Sequence, residues 1–385
     1  MMMMANELPE DLVTLILIWL PVVSLLRFKC VCKSWYALIT HQNFVRKHLL
    51  HNNNSNTHLL LKTFNKTMED YVVSMISYEE LQISLTQPLP PPFFGNSHKF
   101  RISVVGSCNG LVCLHAYNTL NVVIWNPTTK ETKVVPKSNL PRFAPAGYRT
   151  RIQGMGFGFD AKTNDYKIIN FVSMYEPNFD DYFSQDVKDI IFQKEVYSLS
   201  TNSWRKVDGP PCFIFEGVAC PTYINGMASW LAYDKARLYN LFVLSFDMSD
   251  EVFLKTPHPD NVLKGVDLFV LNESIAMSIA TMGDKCMGLQ FDIWLLLKVG
   301  VKDSWTRLFP IRPSAFIHRP LGFWKNDTMI LSKIDDGQLL LYDPSTEQTT
   351  NLQIHGDDDS MQLVTYMETL VSVKGGNEFE EQGNC

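Results

Sequence analysis

Three stretches of this chain share one layout: Ile124-Trp-Asn-Pro-Thr-Thr-Lys-Glu-Thr132, Val196-Tyr-Ser-Leu-Ser-Thr-Asn-Ser-Trp204 and Leu341-Tyr-Asp-Pro-Ser-Thr-Glu-Gln-Thr349. Each reads as a strand, a polar turn and a returning strand. The turns have a mechanism, because proline pre-sets one backbone angle and Asn or Asp side chains bond their own backbone. Looser versions end at Phe253 and Trp305. The five endpoints 132, 204, 253, 305 and 349 are 72, 49, 52 and 44 positions apart. A period of about 50 residues is that of kelch-like propeller blades. The long first gap has room for an insertion, for which Met174–Asp189 is the candidate.

Outward from these stretches the same texture continues. From about Arg101, short β-rich runs alternate with turn clusters such as Ser107-Cys-Asn-Gly110, Asn164-Asp165, Asn225-Gly226 and Asp335-Asp-Gly337. No long helical period interrupts them, which argues for an all-β domain, propeller-like rather than a sandwich. Upstream, Thr57–Phe64 and Tyr71–Ser77 read as strands. Gln87–Gly95 holds Pro88, Pro90, Pro91 and Pro92, which excludes a central strand and reads as an extended surface connection. Gly154-Met-Gly-Phe-Gly158 reads as a tight β-bend, since Phe159 stands where a dinucleotide loop wants its third glycine and no helix follows.

The N-terminus has a different character. Leu8-Pro9-Glu10-Asp11-Leu12 opens a helix, with proline suited to its first position and acids to its first turn. Leu12, Leu15, Ile16, Trp19 and Leu20 recur at helical spacing while Val13 and Leu17 take the other side. A helix apolar on both sides is buried on both sides. Pro21 ends it, and two further helices are expected over Val23–Cys30 and Lys33–Leu50. A module this small rarely stands alone without a staple or partner. One side is therefore expected to pack within the chain and the other to dock on a partner. The fold class is thus α+β: a small three-helix module followed by a large β-domain. The divisions are 1–7 (disordered), 8–50 (helical module), 51–100 (a linker and the first strands of the β-domain), 101–374 (the rest of that domain) and 375–385 (an acidic, disordered tail).

The net charge of −6 over 385 residues argues against nucleic acid as a partner, which needs a basic face. The first fifty residues hold five basic against three acidic side chains, so the remainder carries −8. Eight cysteines show no Cys-x-x-Cys spacing and no zinc-finger histidines, and read as reduced core cysteines. The apolar run Leu12–Leu20 is too short to span a bilayer and lacks the basic flank of a signal peptide, so no membrane partner is expected. A serine elbow, a metalloprotease helix and a phosphate loop are absent. Neither a catalytic residue, a metal nor a cofactor is expected.

The order Leu-Pro, acidic pair, apolar helix, Leu-Pro, Ser24-Leu-Leu-Arg-Phe28, Val31-Cys-Lys-Ser-Trp35 resembles the F-box. That resemblance implies docking on the SKP adaptor, and through it on a cullin and a RING protein. It carries over the anchors Leu8, Pro9, Leu12, Leu20, Pro21, Leu25, Val31, Cys32 and Trp35. Val105-Gly-Ser-Cys-Asn-Gly-Leu-Val-Cys113, Trp125-Asn-Pro-Thr128 and Asn225-Gly-Met-Ala-Ser-Trp230 look like the F-box-associated domain of plants. Within that family, Ser77-Tyr-Glu-Glu-Leu-Gln-Ile-Ser-Leu85 and Val299-Gly-Val-Lys-Asp-Ser-Trp305 are most similar to S-locus F-box proteins, pollen determinants of self-incompatibility. The resemblance implies a non-catalytic ubiquitin-ligase receptor in the cytosol, with a possible nuclear pool. Its substrate would be a non-self, basic secreted ribonuclease in the pollen tube. A receptor for another protein and a sugar-binding F-box lectin are the alternatives. Tyr175, Asp180, Asp181, Tyr182, Asp186 and Asp189 combine acids with aromatics and are the candidate substrate patch. Arg142, Arg149 and Arg151 form a basic counter-region.

Overall fold

Asn109 and Gly110 both hold left-handed backbone angles (φ 49° and 76°), as do Asn225 and Gly226 (φ 50° and 78°). Two consecutive residues of this kind close a two-residue hairpin whose twist matches that of its strands. Such hairpins build the β-domain of the computed structural model, which describes residues 9–51, 57–93, 101–117, 120–176, 190–215, 221–234, 237–259, 266–282, 289–313, 316–334, 336–357 and 359–374.

Six antiparallel sheets follow one another along the chain. The first contains β1 (Thr57–Asn65), β2 (Asp70–Ser77) and β3 (Ile83–Pro88). The second contains β4 (Ile102–Cys108), β5 (Leu111–Ala116), β6 (Asn121–Trp125) and β7 (Thr132–Val135). The third contains β8 (Arg149–Asp160), β9 (Asp165–Tyr175), β10 (Ile191–Ser198) and β11 (Ser203–Val207). The fourth contains β12 (Cys212–Ile214), β13 (Thr222–Ile224), β14 (Met227–Asp234), β15 (Arg237–Asp247) and β16 (Phe253–Pro257). The fifth contains β17 (Val266–Leu271), β18 (Ser274–Met282), β19 (Leu289–Leu296) and β20 (Trp305–Ile311). The sixth contains β21 (Ile317–Phe323), β22 (Met329–Lys333), β23 (Gln338–Asp343) and β24 (Gln348–His355). The last strand, β25 (Gln362–Met367), returns to the first sheet and pairs with β1 from Thr57↔Met367 to Lys62↔Gln362. The inner strands β4, β8, β13, β17, β21 and β25 are neighbours in turn around a central channel. The β-domain is therefore a six-bladed propeller, closed by one strand from its far end.

The repeat endpoints find their meaning here. Thr132, Trp204, Phe253, Trp305 and Thr349 are each the first or second residue of the outermost strand of a blade. The turn before that strand is the polar turn of the repeat. The wide first gap holds the connection from β7 to β8 and the long pair β8–β9. Of the suspected insertion, Met174 and Tyr175 end β9, whereas 177–189 lie outside the described residues. The expected strands over Thr57–Phe64 and Tyr71–Ser77 are β1 and β2.

The glycine-rich run is a strand, which corrects the expected bend. Gly154, Gly156 and Gly158 alternate along β8 and so share one face. A Cβ at Gly156 would lie 2.2 Å from Trp230 Cζ2, one at Gly158 2.2 Å from Tyr223 Cε2, and one at Gly154 2.9 Å from Ile214 Cγ2. The glycines leave room for the fourth blade to seat on the third. Indoles then tie blade to blade through their N–H groups. Trp230 donates to Met155 O at 2.8 Å, Trp305 to Pro257 O at 2.9 Å and Trp324 to Tyr78 O at 2.7 Å. The proline-rich segment also differs from expectation. Leu89 and Phe93 are buried in the core shared by the first and second blades, so the segment is anchored rather than superficial.

Four helices precede the propeller: α1 (Glu10–Ile18), α2 (Val22–Phe28), α3 (Lys33–Thr40) and α4 (Gln42–His51). The single helix expected over Lys33–Leu50 is broken at His41, whose backbone is extended (φ −65°, ψ 132°). Its Nδ1 accepts the Asn43 backbone N–H at 3.2 Å, satisfying a donor at the start of α4. The predicted disorder of 1–7 and the tail 375–385 fall outside the described residues. The cysteine reading holds for Cys108, Cys113 and Cys212, which are buried; Cys30 and Cys32 are exposed, against expectation.

Candidate functional site

The helical module has an inside and an outside. Leu17, Ile18, Val22, Leu25, Ile39 and Phe44 form its core. Along α1 and its C-cap, Leu12, Leu15, Ile16 and Trp19 recur at i, i+3, i+4 and i+7, and all are more than 45 % exposed; Trp19 reaches 71 %. Four large apolar side chains on one exposed helix face mark an interaction surface. Burying one of them would contribute about 1.5–3 kcal/mol.

Of the nine anchors carried over from the F-box, Leu8 lies outside the described residues. Pro9, Leu12, Pro21, Val31 and Cys32 are exposed, and Leu20 and Trp35 are half-buried. Trp35 packs edge-on against Phe28 at 5.2 Å. Leu25 is 0 % exposed and belongs to the core of the helical module. Leu15, Ile16 and Trp19, absent from that set, are exposed on the same face as Leu12, and their helical spacing was visible in the sequence. Two contacts hold α1 against α4. His48 Nε2 lies 3.0 Å from Leu20 O, and since a carbonyl only accepts, this nitrogen carries the proton. Burial lowers the His48 pKa, which keeps the ring neutral. The rings of Trp19 and His51 meet edge-on at 3.8 Å.

The module stands on one rim of the propeller. Within each blade, alternate turns fall on opposite rims. A cavity of about 440 Å³ separates α4 from the β4–β5, β8–β9 and β10–β11 turns, lined by Leu49, Leu50, Asn109, Ala161, Leu199 and Leu370. The chain beyond β25 forms a clasp here. Leu370, 4 % exposed, inserts into the core of the helical module. Asn126, fully buried in the Asn-Pro-Thr-Thr turn, donates from Nδ2 to Thr369 O at 3.1 Å and Val371 O at 2.8 Å. Its Oδ1 accepts from the backbone N–H groups of Thr128 and Thr129. Glu131 accepts from Ser372 Oγ at 2.7 Å and from the Val373 N–H. In the sequence the Asn126 turn is legible as a repeat mark, with no signal for its partners 243 and 245 residues away.

The opposite rim faces away from the module. Tyr175 stands there at the end of β9, opposite Arg149 in register. Asp180, Asp181, Tyr182, Asp186 and Asp189 lie outside the described residues. The basic counter-region is partly committed already: Arg142 pairs with Glu195, which is 0 % exposed. Among the described residues, no three His, Cys, Asp or Glu side chains are grouped so as to hold a metal, and no helix is long and apolar enough to cross a membrane.

The architecture is thus a helical module with an exposed apolar face, standing on one rim of a six-bladed propeller. Residues 6–47 match the F-box domain, and residues 61–373 match the F-box associated β-propeller domain. The second match spans most of the chain, which belongs to the F-box proteins carrying this propeller. It is 27% identical to an F-box/kelch-repeat protein of Arabidopsis thaliana over 95% of this chain and 96% of that one. It is 25% identical to the F-box protein CPR1 of Arabidopsis thaliana, covering 94% of this chain and 88% of the other. Among solved structures, TolB from Acinetobacter baumannii is 8% identical, with a TM-score of 0.47 over 84% of this chain and 73% of that one. The F-box implies SKP adaptor binding and assembly into an SCF ligase, and the fold fits a receptor subunit of that complex.

Proposed function

We propose that this chain is the substrate-recognition subunit of an SCF-type cullin–RING ubiquitin ligase whose substrate is a basic, secreted ribonuclease that has entered the pollen-tube cytosol. The observation that carries the receptor reading is the apolar face of Leu12, Leu15, Ile16 and Trp19, displayed at one end of a propeller. A receptor of this kind needs no catalytic group. It holds substrate lysines near a ubiquitin-loaded enzyme, and tethering raises their effective concentration into the millimolar range or beyond, roughly. The ribonuclease reading rests on the resemblance of Ser77–Leu85 and Val299–Trp305 to S-locus F-box proteins, and on the charge of −8 outside the first fifty residues, which suits a basic partner.

A receptor for a different protein is the second reading. The likeness to F-box proteins of Arabidopsis thaliana at 25–27% identity favours it. Co-precipitation of the whole chain with the SKP adaptor and a panel of pistil ribonucleases separates the two. The Leu8→Ala/Pro9→Ala variant is expected to lose the adaptor and retain a ribonuclease. Retention of the adaptor by that variant would remove these two residues from the docking face. Capture of another protein with no ribonuclease would replace the first reading with the second.

A further inference from the structure

At the rim opposite the F-box, the central channel opens into a cavity of about 100 Å³. Its wall from the first two blades is cationic and aromatic. Lys62 is 3 % exposed, and its Nζ donates to Ile102 O at 2.7 Å and Gln362 Oε1 at 3.2 Å, lying 4.7 Å from the centre of the Tyr71 ring. The guanidinium of Arg101 lies over Tyr117 at 5.6 Å, and the Tyr117 ring is 4.8 Å from that of His115. His115 lines the cavity, is 2 % exposed, and leaves Nε2 without a hydrogen-bond partner. Burying a polar nitrogen in this way has a cost of about 1–3 kcal/mol unless something bonds to it. Two acids, Asp267 and Asp359, line the cavity as well, and Asp357 acts with Arg101 on the Tyr71 ring. Asp267 lies across the channel on β17 and is influenced by Arg319 and His318 of the sixth blade, and Asp359 is exposed on the rim.

We propose that this channel mouth is a carboxylate site which receives a carboxylate of the substrate polypeptide, from its C-terminus or from an Asp or Glu side chain. The inference rests on the receptor reading and deepens it. Arginine presents a planar fork that matches a carboxylate with two parallel hydrogen bonds. Lys62 adds a buried positive charge, and His115 Nε2 supplies a third donor in the tautomer that carries its proton there. Size sets the class: an apolar cavity of about 150 Å³ admits benzene. A cavity of about 100 Å³ has room for a carboxylate with one or two carbons.

Calorimetric titration of the full chain with three hexapeptides tests this. The first has a free C-terminus and no acidic side chain, the second a C-terminal amide and one central Asp, the third a C-terminal amide and no acid. One of the first two is expected to bind at least tenfold more tightly than the third, and which one identifies the source. Arg101→Gln is expected to remove that preference with an unchanged melting temperature, because Arg101 is exposed, and Arg101→Lys to restore part of it. Equal binding of all three peptides, no binding of any, or an unchanged preference in Arg101→Gln would overturn the site. The ribonuclease panel judges the receptor reading separately. Capture that survives Arg101→Gln leaves the receptor standing without this site. Peptide binding with no substrate captured leaves the site standing without that receptor role.

Discussion

Leu370→Ala should loosen the F-box and leave the propeller intact. Among the described residues beyond β25, Leu370 is the one in the core of the helical module, beside Leu17, Ile18, Val22, Leu25, Ile39 and Phe44. A buried Leu→Ala change costs about 2–5 kcal/mol. The module spans some forty residues, for which a stability of roughly 2–6 kcal/mol is typical. A loss of about 3 kcal/mol would therefore take much of what holds the helices. At 1.4 kcal/mol per decade it should speed amide exchange in α1–α4 by about a hundredfold. The propeller has its own closure through β1 and β25, and its exchange should barely change. Hydrogen exchange read segment by segment distinguishes the two bodies, and adaptor affinity should fall in parallel. Unchanged protection in the helices would show that the clasp is not what steadies them. An equal loss in every blade would show that the two bodies unfold as one unit, and either result refutes the reasoning.

Three further outcomes are expected. Leu15→Asp with Ile16→Asp should abolish adaptor capture, while the exposed positions keep the change in folding stability within about 0.5 kcal/mol each, checked by pull-down and thermal melting. Gly156→Ala should destabilise the propeller by about 1–3 kcal/mol, measured by urea unfolding, because the new Cβ meets the Trp230 ring at 2.2 Å. Stability should also fall as pH drops from 6.5 towards 4. Burial pushes His115 from the usual 6.5 down to about 4, so the unfolded state binds the proton first. At 1.36 kcal/mol per pH unit the loss from this group is roughly 3 kcal/mol, complete near pH 4. Urea midpoints at pH 7.5, 5.5 and 4.5 measure it, and His115→Asn should flatten that part of the curve.

Much of the fold was legible because it is repeated. The turn residues that recur near Thr132, Trp204, Phe253, Trp305 and Thr349 need particular backbone angles, so the blades leave a period in the sequence. The first blade left no such mark. Its outermost strand, β3, ends at Pro88, and its fourth strand comes from residues 362–367. The glycines of β8 were visible but misread. A glycine needed for a turn and a glycine needed to admit Trp230 look alike until the neighbouring blade is placed. The break at His41 was hidden for a similar reason: residues 33–51 carry no proline or glycine, and an extended backbone with a side-chain cap did the work.

The candidate site divides along the same line. The docking face of α1 could be read from local spacing, since its residues lie within two turns of one helix. Leu25 shows the limit of such reading. It shares the apolar chemistry of Leu12, yet one is enclosed and the other faces solvent, a difference set by α3, α4 and Leu370. The channel mouth was not legible at all. Lys62, Arg101 and His115 come from β1, the start of β4 and β5, and Gln362 reaches them from the last strand. Ring closure is what assembles them. Gln362 Oε1 accepts from both Lys62 Nζ and the Val104 N–H at 2.8 Å. The residue that closes the propeller thus also orients the buried cation at its mouth, so an insecure closing strand would disorder the channel mouth before it disordered the outer blades.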